Sequence, residues 1–407
     1  TKDTPSLEFE QVPFNHPLYI LYSSGTTGKP KSIVHSGGGS LMEHIKEQRF
    51  HSDLTREDRL FYFTTCGWMM WNWLVTGLAT GATLMLYDGA PFYPDMMSTW
   101  KLIETYQITQ YGTSAKFINT SLKQALRPKE SCDLRSLKAI MSTGSPLYED
   151  DFEYVYEHVK SDVQLCSISG GTDIVGCFAL GNPMLPVYSG LLQSASLGYQ
   201  LKAYDAYGQP VWDTKGELVC ESPFPSMPVS FWNDSDGQKY KKSYFETYEN
   251  KWHHSDFIMC YKNGAVKVLG RSDATLNRAG VRIGTAEIYS MVELEETIKD
   301  SLVIHIEEDD KIILFVKMEE EKSCDDVFAK ALSKKISVER SPRHKPDFIY
   351  EVEAIPYTRN GKKIEIAIKS IFAGEALSKI NLDALADPNV LKEYRAIYES
   401  LRTPKSS

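Results

Sequence analysis

Leu18-Tyr19-Ile20-Leu21-Tyr22 runs directly into Ser23-Ser24-Gly25-Thr26-Thr27-Gly28-Lys29-Pro30-Lys31, and this stretch decides how the chain is read. An apolar run of that length reads as a strand. The two glycines after it let the backbone approach a ligand, and the surrounding hydroxyls and lysines suit a polyphosphate. The generic P-loop is a different object: it needs Gly, four residues, then Gly-Lys-Ser/Thr opening a helix. Here only Thr26 and Thr27 separate the glycines, and Pro30 would spoil a first helical turn.

The rest of the composition narrows the class. At 407 residues the chain has room for two or three domains with real cores. Its formal charge of −9 argues against nucleic acid as a general partner, because phosphate-backbone binding needs a basic face. The seven cysteines are scattered and contain no Cys-x-x-Cys pair, so neither a disulfide framework nor a zinc site is indicated. That pattern leads us to expect a reducing cytosol. Between Leu60 and Tyr87 no charge occurs, but the threonines, glycines and Asn72 make the stretch too polar for a membrane span. It reads as strand, buried helix, strand. The chain opens at Thr1 with no apolar, basic-led segment, so no secretory address is expected in it.

Along the chain, Arg59-Thr64, Ala82-Tyr87, Ile108-Gly112, Ala139-Ser142 and Val163-Ile168 read as strands, with helical spacing in Met96-Tyr106 and Glu149-Val159. This rhythm predicts an α/β fold with a largely parallel βαβ sheet and ligands at the C-terminal ends of its strands. From about Pro186 the texture changes to short strands and turns, as expected of a β-rich subdomain. Beyond Gly270-Arg271-Ser272-Asp273 a compact α+β unit is expected, with a helix at Glu287-Glu296, an antiparallel pair at Ser301-Ile306 and Lys311-Val316, and a helix at Cys324-Ile336. The expected domains are therefore 1–272, 273–376 and a C-terminal extension 377–407 ending in a docked surface helix.

The string Tyr-Ser-Ser-Gly-Thr-Thr-Gly-x-Pro-Lys resembles the signature of the adenylate-forming enzymes, the superfamily that includes acyl-CoA synthetases, luciferases and peptide-synthetase adenylation domains. Further segments resemble that superfamily in the same order. The resemblance implies ATP, Mg2+ and CoA as ligands, with Ser23, Ser24, Gly25, Thr26, Thr27, Gly28 and Lys31 on the phosphates. Ser142-Thr143-Gly144-Ser145-Pro146 resembles the turn that lies against adenine and ribose, so Gly144, Ser145 and Pro146 are implied there. Ser169-Gly170-Gly171-Thr172-Asp173 resembles a strand-end motif that closes on Thr-Glu in most relatives. It implies Thr172 on the α-phosphate and Asp173 on magnesium.

Trp252-His253-His254-Ser255-Asp256 resembles the segment whose aspartate accepts both ribose hydroxyls, with Arg271 as its usual partner. Asp273 corresponds to the hinge of the small domain. Leu276-Asn277-Arg278-Ala279-Gly280-Val281-Arg282-Ile283-Gly284 is similar to a loop of short-chain acyl-CoA synthetases, which implies Gly280 on the pantetheine tunnel and Arg282 near the phosphates. Ile355-Pro356-Tyr357-Thr358-Arg359-Asn360-Gly361-Lys362 resembles the C-terminal Pro-x-Thr-x-x-Gly-Lys motif and makes Lys362 the implied catalytic lysine. An ammonium there would neutralise the charge that develops as a carboxylate attacks the α-phosphate. Lys363 is expected to be a solvated neighbour.

The acid is read from the strand-end motif. Synthetases that activate acetate carry aromatic residues where this chain has Ser169 and Gly170. Loss of that wall is expected to open the acyl pocket, with Trp68 and Met69 as remaining walls and Gly170 as its floor. Together with the Gly-Gly-Thr-Asp form and the Asn-Gly-Lys-Lys ending, this implies acetoacetate as the acid. The alternatives are a propionate- or butyrate-sized acid, or a non-catalytic nucleotide-binding form. Family members carry a long segment before the phosphate loop, whereas 22 residues precede Ser23 here, so the chain is expected to be part of a longer enzyme.

Overall fold

A computed structural model describes residues 8–23, 31–272, 274, 276–278, 281–358 and 362–402, with the side chains of residues 277, 281, 282 and 379 outside that description. The opening strand, β1 (Pro17–Ser23), folds back antiparallel on β2 (Lys31–Ser36), and their register sets Ser23 opposite Lys31. The two ends of the glycine-rich segment are thus held side by side. Ile33 and Val34 of β2 are buried, whereas Leu18, Ile20 and Tyr22 of β1 face outward.

The five strands expected of the central sheet are all present: β3 (Arg59–Tyr62), β4 (Thr83–Met85), β5 (Gln110–Ser114), β6 (Ala139–Thr143) and β7 (Gln164–Ser167). They lie in the order β4-β3-β5-β6-β7, and every pairing is parallel. Parallel strands are covered on both faces, so consecutive residues feed opposite cores. Phe61, Tyr111, Ile140 and Leu165 join Trp100, Phe117 and Phe152 on one side, while Leu60, Tyr62, Met141 and Cys166 meet Trp73 and Leu74 on the other. The uncharged stretch 60–87 is the β3 strand, the helix Met69–Thr76 and the β4 strand.

A three-stranded antiparallel sheet follows, built from β8 (Ser169–Gly171), β9 (Gly176–Leu180) and β10 (Ser194–Ala195). The β-rich region is a second antiparallel sheet of β11 (Leu201–Tyr204), β12 (Pro210–Val211), β13 (Lys215–Cys220), β15 (Trp252–Cys260) and β16 (Val266–Arg271), in the order β12-β11-β13-β15-β16. The short β14 (Ser230–Phe231) joins β2 instead.

The C-terminal part contains the hairpin β17 (Leu276–Arg278) and β18 (Val281–Ile283), then the antiparallel pair β19 (Ile298–Ile306) and β20 (Lys311–Met318), with β21 (Phe348–Glu351) parallel to β20. The helix expected at 287–296 runs instead from Thr285 to Val292. It starts earlier because the Glu287 carboxylate accepts the Gly284 N–H at 2.8 Å and closes the helix N-terminus there. The last helix, Leu391–Arg402, sends Leu391, Tyr394 and Tyr398 into the same core as Leu302, Phe315 and Phe372. No helix among the described residues is long and apolar enough to cross a membrane.

Candidate active site

A cleft of about 1140 Å³ opens over the C-terminal ends of β6 and β7, the β8–β9 hairpin, the β15–β16 pair and the segment around residue 362. Ser23, Lys31, Trp68, Met69, Gly144, Ser145, Pro146, Gly170, Thr172, Asp173, Asp256, Arg271 and Lys362 all line it. Ser24, Gly25, Thr26, Thr27, Gly28, Asp273 and Gly280 lie outside the described residues, as does the side chain of Arg282.

Asp173 follows β8 and is held by two side chains. The Tyr244 hydroxyl donates to its Oδ1 at 2.5 Å and the Lys31 ammonium stands 3.4 Å away. Burial opposes its charge, but His254, Lys31 and Tyr244 together outweigh burial and hold the carboxyl well below the usual carboxylate range. Tyr244 is fixed by stacking on Trp252, with ring centroids 3.7 Å apart and planes 14° from parallel. Behind Thr172, the His35 Nε2–H donates to its carbonyl at 2.9 Å. Burial pushes the His35 imidazole down to about 4, so the ring is neutral.

Asp256 and Arg271 are direct partners in the β15–β16 register, with Oδ1 and Nη1 3.6 Å apart. The same guanidinium donates to the His254 carbonyl at 3.3 Å. The Trp252 indole N–H points to His254 Nδ1 at 3.4 Å, which leaves Nε2 facing Asp256 at 3.9 Å. Opposite, Gly144 turns the chain after β6 with φ of 98°, a left-handed conformation that favours glycine.

Lys362 is tied back to Thr358. Its carbonyl accepts the Thr358 N–H at 2.8 Å, and its own N–H donates to Thr358 Oγ1 at 3.1 Å. The side chain is open to water in the cleft mouth yet ringed by protein, and that desolvation with the Arg271 charge lowers its pKa, against the pull of Asp173 and Asp256.

Two expectations are corrected. Gly170 is not an opened pocket floor. A Cβ there would lie 2.0 Å from the Gly176 carbonyl oxygen and 2.7 Å from the Cys177 Cα, so the β9 backbone already fills the space where a side chain would begin. Lys363 is not solvated either. It is largely buried, ion-paired with Glu293 and with Asp300, and sits 3.9 Å over the Tyr289 ring.

Magnesium can be tested against the donor set. Among the described residues no cluster of three or more His, Cys, Asp or Glu side chains forms a metal cage. Asp173 is a single ionised carboxylate beside Lys31. That suits an octahedral ion carried in by nucleotide phosphates and water, with one protein carboxylate completing it.

A parallel sheet with Ser23 and Lys31, a paired acid and guanidinium, and a lysine brought into one cleft is the layout of a nucleotide-using enzyme class. The chain belongs to the AMP-binding enzyme family, whose model matches residues 2–227. Its similarity is to one kind of member in particular. It is 49% identical over 395 residues to an acetoacetyl-coenzyme A synthetase of Rhizobium meliloti (strain 1021), and 47% identical over 399 residues to an acetoacetyl-CoA synthetase of Gallus gallus. Each match covers 97% of this chain and 60% of the relative, so the chain spans about three fifths of the length of these relatives. The solved acetoacetyl-CoA synthetase from Streptomyces lividans superposes with a TM-score of 0.92 at 44% identity, over 97% of this chain and 61% of that one. An anthranilate CoA ligase in complex with anthranoyl-AMP shares the fold, with a TM-score of 0.76 at 20% identity.

Reading the sequence missed His35, behind the cleft at Thr172, and three side chains that line it: Tyr244, Glu293 and Asp300. None stands in a motif with chemistry of its own. Each acts by reaching a motif residue far away in sequence, 137 residues for His35 and 71 for Tyr244.

Proposed function

We propose that the chain carries the adenylation site of an ATP-dependent acid–thiol ligase that converts acetoacetate and CoA to acetoacetyl-CoA, AMP and pyrophosphate. The carrying observation is the convergence of Asp173, Asp256, Arg271 and Lys362 on one cleft, in a chain similar along nearly its whole length to acetoacetyl-CoA synthetases.

In the first half-reaction an acetoacetate oxygen attacks the α-phosphorus of ATP and the bond to pyrophosphate breaks, giving acetoacetyl adenylate. Asp256 accepts the ribose hydroxyls, held in place by Arg271. The Gly144-Ser145-Pro146 turn packs on the nucleoside, while Ser23, Lys31 and Thr172 take phosphate oxygens. Asp173 would hold a magnesium ion, which would supply positive charge against the phosphates. Lys362 neutralises charge that develops on the α-phosphoryl group in the transition state, where a preorganised cation counts most. Trp68 and Met69 wall the acid.

In the second half-reaction the CoA sulfur attacks the acyl carbon, AMP leaves, and the thiol proton passes to solvent. Gly280 is assigned to the CoA side and Asp273 to the hinge between a large unit, 1–272, and a small one, 273–376, with 377–407 as its extension. A cytosolic setting suits this chemistry.

ATP–pyrophosphate exchange with a panel of short acids tests the reading. Exchange that depends on acetoacetate, and exceeds that with acetate or butyrate, is expected. Preference for another acid would overturn the substrate, and no exchange with any acid would overturn catalysis by this chain.

A further inference from the structure

Lys362 lies next to a two-residue base, since Tyr357 and Lys363 face each other as an antiparallel bridge. Both members of that base are held by one carboxylate. The Tyr357 hydroxyl lies 2.9 and 2.7 Å from the two oxygens of Asp300, and the Lys363 ammonium lies 3.3 Å from Oδ1. Asp300 is itself mostly buried on β19. Burial works against its charge, but Lys363, Lys116 and the Tyr357 hydroxyl hold it ionised.

The second cation comes from elsewhere. Lys116 belongs to the helix Ala115–Lys123, which follows β5 of the parallel sheet. Its ammonium stands 3.5 Å from Asp300 Oδ2 and 4.3 Å over the Tyr357 ring. One turn pair further along the same helix, Lys123 donates to the Ile298 carbonyl at 3.0 Å. The parallel-sheet unit therefore grips the lysine-bearing unit through the base beside Lys362.

We propose that Asp300 is a clasp: joined to Tyr357 and Lys363 on one side and to Lys116 on the other, it seats Lys362 in the cleft, so that Lys116 and Asp300 are positioning residues for adenylation. This rests on the adenylation reading above for its chemical consequence, though not for its geometry. Lys116 is 63% exposed, so its ion pair is weak and sensitive to salt. A clasp of that strength holds the seated state without locking it.

The test uses the full chain and the variant Lys116→Met, which keeps the aliphatic stem and removes the charge from an exposed position. The pH dependence of Lys362 acetylation by acetic anhydride is followed by mass spectrometry, with exposed Lys330, on the helix Asp326–Glu339, as internal reference. Desolvated in the cleft beside Arg271, and against the opposing pull of Asp173 and Asp256, Lys362 is expected to titrate below the ordinary lysine range. In Lys116→Met, and in the parent at high salt, its midpoint should move up toward about 10.4, the value of a free lysine. Loss of an exposed ion pair and a cation–π contact together should lower acetoacetate-dependent pyrophosphate exchange about fivefold in kcat, with the KM for ATP unchanged.

Asp300→Asn, if it folds, should give the same two effects, and no further loss when combined with Lys116→Met. A folded Lys116→Met protein whose Lys362 midpoint, salt response and exchange rate match the parent would overturn the clasp. If the parent shows no exchange with any acid, the adenylation reading fails, and the titration midpoint still decides the clasp.

Discussion

Replacing Gly170 by alanine separates two views of the acyl side of the cleft. If the missing side chain were spare room for the acid, alanine would be tolerated and would only trim the pocket. The structure says otherwise. The new methyl group would sit 2.0 Å from the Gly176 carbonyl oxygen and 2.7 Å from the Cys177 Cα, both backbone atoms that cannot rotate away. To restore even a close contact of 3.4 Å, β9 has to withdraw by about 1.4 Å. Overpacking a core costs about 1–3 kcal/mol, and an obstacle made of backbone belongs at the upper end of that range.

The strain would reach the nucleotide as well, because Thr172 and Asp173 follow on the same hairpin. Chemical denaturation of the parent and Gly170→Ala proteins should therefore show a loss of about 3 kcal/mol, accompanied by weaker ATP binding in calorimetry. An unchanged unfolding midpoint with intact ATP affinity, and a shift confined to acid preference, would show instead that Gly170 leaves spare room for the acid.

Lys362→Ala should abolish adenylation while sparing thioester formation from supplied acetoacetyl adenylate, as measured by single-turnover assays of each half, because the cation is needed in the first transition state alone; equal losses in both halves would contradict the role. Tyr244→Phe deletes the hydroxyl that holds Asp173, and should weaken magnesium–ATP binding by about 1.5–3 kcal/mol, the usual worth of a hydrogen bond to a charged group. An unchanged Kd in calorimetry would show that Asp173 is fixed without it. His35 is neutral in the fold, at about 4 against an ordinary 6.5 when unfolded. The unfolded chain therefore binds the extra proton first, and stability present above pH 6.5 is lost as pH falls toward 4, by up to about 3 kcal/mol. Thermal melts of the parent should drop across that window, and those of His35→Gln should drop less.

Much of this architecture was legible in the sequence because its signals are local. Five apolar runs separated by amphipathic stretches sufficed to place β3 to β7, since strands buried on both faces carry unbroken hydrophobic segments. The positions assigned to the cleft by motif, from Ser23 to Lys362, meet there wherever the structure describes them. What the sequence hid was contact. A glycine in a string of small residues reads the same whether it leaves room for a ligand or for another strand, and only the approach of Gly176 distinguishes the two for Gly170. Lys363 looked like any loop lysine because Glu293 and Asp300, which bury its charge, lie 70 and 63 residues upstream. Long-range polar pairs of this kind leave no periodicity to find.

The most direct test of the account is a crystal structure of the chain with a non-hydrolysable acetoacetyl adenylate analogue. The analogue is expected in the cleft with both ribose hydroxyls on Asp256, its base against Gly144-Ser145-Pro146, and the Lys362 ammonium on the group that replaces the α-phosphate. An analogue bound elsewhere, or seated in the cleft with Asp256 free of the ribose and Lys362 turned to solvent, would contradict it.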